Sequence, residues 1–77
     1  MKITIHNTDK IVQLNNGPAR IWEGETESGV PVICHVNMIS PQTHDPEVNA
    51  QFERELREVR TASEAASRSY DMRYFID

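Results

Sequence analysis

The first part of the chain alternates polar and apolar residues in short runs separated by turn-forming residues. Residues 2–6 and 10–14 are the first two runs, and both combine a two-residue period with β-branched side chains. This pattern is typical of half-buried strands. The short polar side chains of residues 7–9 lie between the runs and favour a turn. The pattern therefore predicts two strands joined as a hairpin.

Two further strands are predicted after a break at residues 15–18, where Asn, Gly and Pro are concentrated. Residues 19–26 and 30–39 are again extended in pattern. Gly29 lies between them, where a tight hairpin turn needs positive φ. These two segments are therefore expected to form a second hairpin.

A helix start is marked by Asp45, Pro46 and Glu47, which combine an acidic N-cap, a proline at the first position and a first-turn carboxylate. The helix is expected to run to about residue 60, with oppositely charged i, i+4 pairs such as Glu53 and Arg57 on its solvent side. Its apolar residues recur at spacings of four, four and three and form one stripe. They are Val48, Phe52, Leu56 and Val59.

The last part of the chain is less regular. Residues 61–69 are small and polar, and the pattern leaves open either a loop or one further helical turn capped by Ser63. Residues 70–77 alternate again and predict a fifth strand. The expected architecture is a single α+β domain over residues 1–77, with a small antiparallel sheet of four to five strands and one helix packed on one face.

The alternation of the strands assigns side chains to the two faces of this sheet. The helix is expected to cover the face that carries Trp22, and nothing in the pattern covers the opposite face. Contiguous exposed apolar area usually marks an interface, and a second copy of the chain could cover it. A homo-oligomer is therefore expected. The interface residues predicted on this basis are Ile21, Ile33, His35 and Phe75.

Composition and charge exclude several classes of function. Apolar residues make up 38% of the 77 residues, which allows only a small core. The net charge of −4 argues against binding of nucleic acid through phosphate contacts. The longest uncharged apolar run, residues 30–39, is too short for a membrane span, and Cys34 is the single cysteine. A cytoplasmic protein without membrane association is expected.

No residue pattern predicts catalysis, a cofactor or a metal site. Cys34 and His35 are neighbours in a strand and point to opposite faces, so they cannot ligate one ion together. An apolar strand also favours a buried, inert thiol over a nucleophile. The sequence contains no Gly-x-Ser-x-Gly motif, no glycine-rich phosphate loop and no His-Glu-x-x-His motif. We therefore expect a protein that is not an enzyme.

Two groups of side chains are candidates for binding. Glu23, Glu25 and Glu27 alternate along one strand, so their carboxylates would follow one face at intervals of ~6.6–7 Å, as in a nucleic-acid mimic. A solvated strand face explains the same pattern. The second group combines arginines with aromatic rings, which suits an anionic, ring-bearing ligand such as a nucleotide. Its members are Arg20, Trp22, Arg68, Arg73 and Tyr74.

Residues 19–34, which include the hairpin pattern Arg-x-Trp-Glu-Gly-x-Thr-x-Ser-Gly, together with residues 51–56 resemble short proteins carried by bacteriophages and prophages. The likeness spans about half the chain and includes no known catalytic residue. The C-terminal segment departs from the group, whose last strand is more aliphatic. The resemblance implies a non-enzymatic accessory protein that acts inside an infected bacterium against host defence.

Two mechanisms fit that implication. In the first, an oligomer sequesters a nucleotide immune signal in pockets lined by arginines and aromatic residues. In the second, the chain inhibits a host defence protein, either through the acidic strand or through the free edge of the strand over 30–39. A structural or regulatory phage component is a further alternative.

Overall fold

The computed structural model describes residues 1–67, which form a three-stranded antiparallel sheet followed by two helices. The α+β class is confirmed, but the expected four to five strands are wrong, since these residues contain three. The predicted fifth strand, 70–77, lies outside the described residues. The sheet order is β1-β2-β3. The elements are β1 (Ile3–Leu14), β2 (Gly17–Thr26), β3 (Pro31–Val36), α1 (Pro46–Arg57) and α2 (Glu64–Ser67).

The first strand is continuous through the segment that was expected to turn. Asn7 pairs with Trp22 and Ile11 pairs with Arg20, so residues 8–10 of β1 lie opposite the single residue Ile21. Extra residues on one strand make a β-bulge, which bends that strand without ending it. The two strands predicted over 2–6 and 10–14 are therefore one strand with a bulge at its centre.

Both connections in the sheet are tight turns. Asn15 and Asn16 join β1 to β2 with negative φ, and Gly17 follows with a φ of 117°, a value that disfavours any side chain. The sequence pattern had marked this point only as a break. The turn between β2 and β3 places Gly29 at a φ of 89°, as expected, and the Val30 amide donates to the Thr26 hydroxyl at 3.1 Å.

Helix α1 starts where the sequence places it. The Asp45 carboxylate accepts a hydrogen bond from the Glu47 amide at 2.9 Å, and Pro46 is the first residue of the helix. The helix ends at Arg57, three residues earlier than expected, and none of its residues is buried. The expected packing of its whole apolar stripe on the sheet is therefore wrong, and Val48 is 44% exposed. No helix within residues 1–67 has both the length and the apolar character needed to cross a bilayer.

Replacement of Asp45 with Ala is expected to shorten α1 from its N-terminus. The change removes the acceptor for the Glu47 amide, and loss of such a cap costs about 1 kcal/mol. Because α1 buries no residue, the sheet should stay intact. Far-UV circular dichroism should show reduced helicity, and Asp45→Ser, which keeps an acceptor, should retain it. Equal helicity in the two variants would contradict this role of Asp45.

The core lies on the sheet face that was expected to be bare. Its buried residues are on β1, β2 and α2, and Leu14, Ile33 and Ala62 pack against them. Ile21 is completely buried, so its prediction as an exposed interface residue is wrong. The physical reason is that the chain after α1 returns to this face and covers it. The buried apolar residues are Val12, Ala19, Ile21 and Ala66.

The covering segment, residues 58–67, is called the strap, and it passes around the edge of β1 at the bulge. Arg60 forms a parallel bridge with Thr8. Its amide donates to the Asn7 carbonyl at 3.2 Å, and its carbonyl accepts from the Asp9 amide at 2.8 Å. The bulge is thus the point where the chain crosses from the Trp22 face of the sheet to the Ile21 face.

Candidate functional site

A groove of about 580 Å³ lies on the Trp22 face, between the sheet and the C-terminal end of α1. One wall comes from β2, from β3 and from the chain that follows β3. The other wall comes from the last turn of α1 and the start of the strap. The lining residues are Arg20, Trp22, Val36, Asn37, Met38, Ile39, Leu56, Arg57 and Val59.

Trp22 is held in this groove by its place in the central strand. It lies opposite Asn7 in β1 and Cys34 in β3, so the indole has a strand on either side. The Asn7 side chain, which is buried, donates to the Leu56 carbonyl at 2.9 Å. That bond holds the end of α1 beside Trp22. The groove therefore has one half-buried aromatic ring between the sheet and the helix end.

Two arginines reach the groove from different elements. Arg20 on β2 uses one guanidinium N–H to donate to the Thr8 carbonyl at 2.7 Å, and this contact fixes the side chain along the sheet. Arg57 lies in the last turn of α1 and is exposed. A guanidinium carries five donors in a planar fork, which suits carboxylate and phosphate oxygens. The groove is thus apolar along most of its walls and bears two cationic groups.

Of the predicted ligand-binding residues, Arg20 and Trp22 lie together in the groove. Arg68, Arg73 and Tyr74 lie outside the described residues. Arg57 was not predicted, because its spacing from Glu53 suggested a solvent-facing ion pair. Its position directly after Leu56, the last stripe residue within α1, is the signal that could have identified it.

The predicted interface residues do not form an exposed apolar patch. Ile21 is buried and Ile33 packs against the core, although His35, opposite Ile21 in β3, is exposed. Phe75 lies outside the described residues. A homo-oligomer was expected because the Ile21 face was thought to be uncovered, and the strap covers that face. The homo-oligomer stays a prediction.

The predicted acidic stripe is divided between two environments. Both carboxylate oxygens of Glu23 accept hydrogen bonds from Ser63, at 2.6 Å from the hydroxyl and 2.9 Å from the amide. The hydroxyl bond, followed by the amide bond, lowers the pKa of Glu23 below its ordinary value. Glu25 is exposed in β2, and Glu27 lies beyond the end of that strand. Glu23 is therefore committed to a contact within its own chain.

The remaining candidate chemistry is sparse in residues 1–67. These residues contain no group of three or more His, Cys, Asp or Glu side chains placed to hold a metal ion. Cys34 is a half-buried thiol next to Trp22 in register and does not line the groove. Comparisons with protein-family models, with curated proteins and with solved structures found no match to this chain.

Proposed function

We propose that this chain is a non-catalytic binding protein whose groove takes an anionic, ring-bearing ligand of the nucleotide class. The observation that carries the proposal is the placement of Arg20 and Arg57, from two separate elements, on the same groove as Trp22. An indole offers a stacking plane for a base, and base stacking on aromatic side chains contributes about 1–3 kcal/mol. Guanidinium groups suit the phosphate oxygens of the same ligand.

The dimensions and lining of the groove support a small ligand. Ligand sites commonly enclose about 300–1,000 Å³ and combine apolar walls with a few polar groups. This groove has about 580 Å³ but is an open depression rather than an enclosed cavity, and Asn37 adds an amide to its apolar and cationic lining. An amide both donates and accepts hydrogen bonds, which suits the edge of a base.

The resemblance to phage proteins suggests a setting for such binding. A non-enzymatic protein that sequesters a nucleotide immune signal would counter host defence in the cytoplasm of an infected bacterium. Sequestration requires affinity alone, so the absence of a recognised catalytic motif in the sequence is compatible with it. An oligomer that adds residues of a second copy to the groove is part of this proposal.

Titration calorimetry of the purified chain against a panel of signalling nucleotides tests the proposal. We expect binding at micromolar concentration to at least one of them. Trp22→Leu and Arg57→Gln should each weaken that binding about tenfold or more, because they remove the stacking plane and a charged donor. Arg54→Gln is the matched control, since Arg54 lies in the same turns of α1 but does not line the groove.

The absence of binding to any nucleotide of the panel would contradict the proposal. An equal loss of affinity in the Arg54 and Arg57 variants would contradict the assignment to the groove, because it would reflect net charge alone.

A second candidate is inhibition of a host defence protein through β3. Within residues 1–67, β3 is an outer strand of the sheet, and none of its residues is Lys, Arg, Asp or Glu. An uncharged outer strand favours addition of an extended segment from a partner. Inhibition of defence that persists in the Trp22→Leu variant would favour this candidate over sequestration.

A further inference from the structure

We propose that Glu23 is a positioning residue for the groove, although its side chain lies on the opposite face of the sheet. Its hydrogen bonds to Ser63 hold the strap, and the strap in turn holds Val59 in the groove, next to the end of α1 that Asn7 holds at Leu56. This inference rests on the proposed function for its biological meaning, because it concerns the same groove. The geometric claim itself requires no ligand.

The path of the chain connects the two faces over a few residues. Leu56 and Val59 line the groove on the Trp22 face, and Arg60 follows at once in its bridge to Thr8. Three residues later, Ser63 contacts Glu23 on the Ile21 face. The groove wall and the Glu23 contact are thus joined by a short segment of backbone that passes around one strand edge.

The contacts of the strap are mainly polar. The Asp9 carboxylate accepts from the Ala62 amide at 2.8 Å, and the Ser63 hydroxyl, which donates to Glu23, also accepts from the Ala66 amide at 3.1 Å. Ala66 is the only buried residue among residues 58–67. An alanine side chain buries little apolar area, so hydrogen bonds provide much of the attachment. Backbone bonds of Arg60 hold the strap to β1, and the carboxylates of Asp9 and Glu23 hold the residues that follow. Loss of the charge on Glu23 should therefore release this end of the strap.

The surroundings of Glu23 set the direction of its pH dependence. His6 of β1 and Ile33 of β3 lie opposite Glu23 in the two neighbouring strands, and Glu25 follows two residues later in β2. Arg60 contributes a guanidinium nitrogen 3.5 Å from the His6 ring, and Asp9 and Glu64 are the carboxylates next to the strap contacts. The two hydrogen bonds from Ser63 lower the pKa of Glu23 most, burial opposes them with a smaller effect, and the Coulombic interaction with His6 adds the smallest lowering.

A carboxyl group whose folded pKa is lowered stabilises the folded contact fully above its unfolded pKa of 4.5. That stabilisation is lost as the pH falls through the lower folded value. The strap should therefore be held at neutral pH and released in acid.

The single tryptophan of the chain reports directly on this coupling, because Trp22 itself lines the groove. Fluorescence emission is measured without ligand from pH 8 to pH 2, together with far-UV circular dichroism to follow the sheet. We expect the wild-type emission to move to longer wavelength below pH 4.5 while the sheet signal persists. Glu23→Gln should show the longer wavelength already at neutral pH and a reduced acid transition.

Two further variants complete the experiment. Ser63→Ala removes the hydroxyl from the other side of the contact and should also lengthen the emission wavelength at neutral pH. Glu25→Gln is the matched control, since Glu25 shares the strand and the face of Glu23 but is exposed, and it should behave like the wild type.

The proposal is overturned if Glu23→Gln keeps the wild-type emission and acid transition, or if Glu25→Gln changes them equally. It is also overturned if the sheet signal is lost together with the emission change, because the strap would then not open separately. Nucleotide binding is measured independently by calorimetry. A failure of the coupling with binding intact, or of binding with the coupling intact, identifies which of the two proposals is wrong.

Discussion

Replacement of Ile21 with Ala is expected to cost about 2–5 kcal/mol of folding free energy, as is usual for a large-to-small change in a core. Ile21 has no exposed surface and lies at the centre of the core with Val12, Ala19 and Ala66. Small domains have only about 3–5 kcal/mol of stability from a single core. A large part of the Ile21→Ala population should therefore be unfolded, which urea titration followed by circular dichroism would measure.

Ile11 provides the matched control for this change. It is the same residue type in the neighbouring strand, but it is 55% exposed. Ile11→Ala should cost less than about 1 kcal/mol, because it removes little buried area. Equal costs for the two variants would contradict the placement of the core on the Ile21 face.

Replacement of Gly24 with Ala is expected to destabilise the fold at least as much as Ile21→Ala does, for a steric reason. Gly24 lies in the central strand opposite Ile5 and Val32, and a Cβ at this position would overlap the Thr4 carbonyl oxygen of β1. The Thr4 carbonyl belongs to the backbone of β1, which is paired with β2 at Gly24. The two strands must therefore move apart to make room for the methyl group of an alanine. We expect a loss of about 3–5 kcal/mol, at the upper end of the effects of single substitutions.

Gly29→Ala is the comparison for this steric effect. Gly29 has a φ of 89° but has no atoms within 4 Å of an added Cβ, so backbone strain of about 1–2 kcal/mol is the only expected cost. In thermal unfolding, the midpoint temperature of Gly24→Ala should be well below that of Gly29→Ala. A Gly24→Ala protein with wild-type stability would contradict the register of β1 against β2.

Local sequence patterns predicted the elements that depend on local chemistry. The Gly29 turn and the Asp45 cap of α1 follow from contacts within about four residues. The Ser63 cap of α2 was one of the two alternatives that the pattern left open. The assignment of alternate β2 residues to two faces was also correct, since Ile21 and Trp22 are on opposite sides. These features require no knowledge of distant parts of the chain.

The segment 7–9 was misinterpreted because its turn-forming side chains make distant contacts instead. Asn7 donates to the Leu56 carbonyl, the Thr8 hydroxyl donates to the Ile21 carbonyl, and Asp9 accepts from the Ala62 amide. A single sequence cannot show whether these side chains bond to distant backbone or to the backbone of a local turn, since the same polar groups can do either. The predicted hairpin at this position was wrong for that reason.

The cover of the Ile21 face was missed for a related reason. Ala62 and Ala66 belong to a small, polar segment that has no amphipathic stripe, and only their contact with Ile21 and its neighbours makes them part of a core. For the groove, residue type alone pointed to two of the residues that line it, Arg20 and Trp22. Arg57 required knowledge of where α1 ends relative to the sheet.

The most direct test of this account is whether the chain covers its own Ile21. In an isotope-filtered NOE experiment on a mixture of labelled and unlabelled protein, contacts within one molecule are separated from contacts between molecules. We expect NOEs between the Ile21 side chain and the methyl groups of Ala62 and Ala66 within the same molecule. NOEs to Ile21 that arise only between molecules, or an Ile21 side chain that contacts only water, would contradict it.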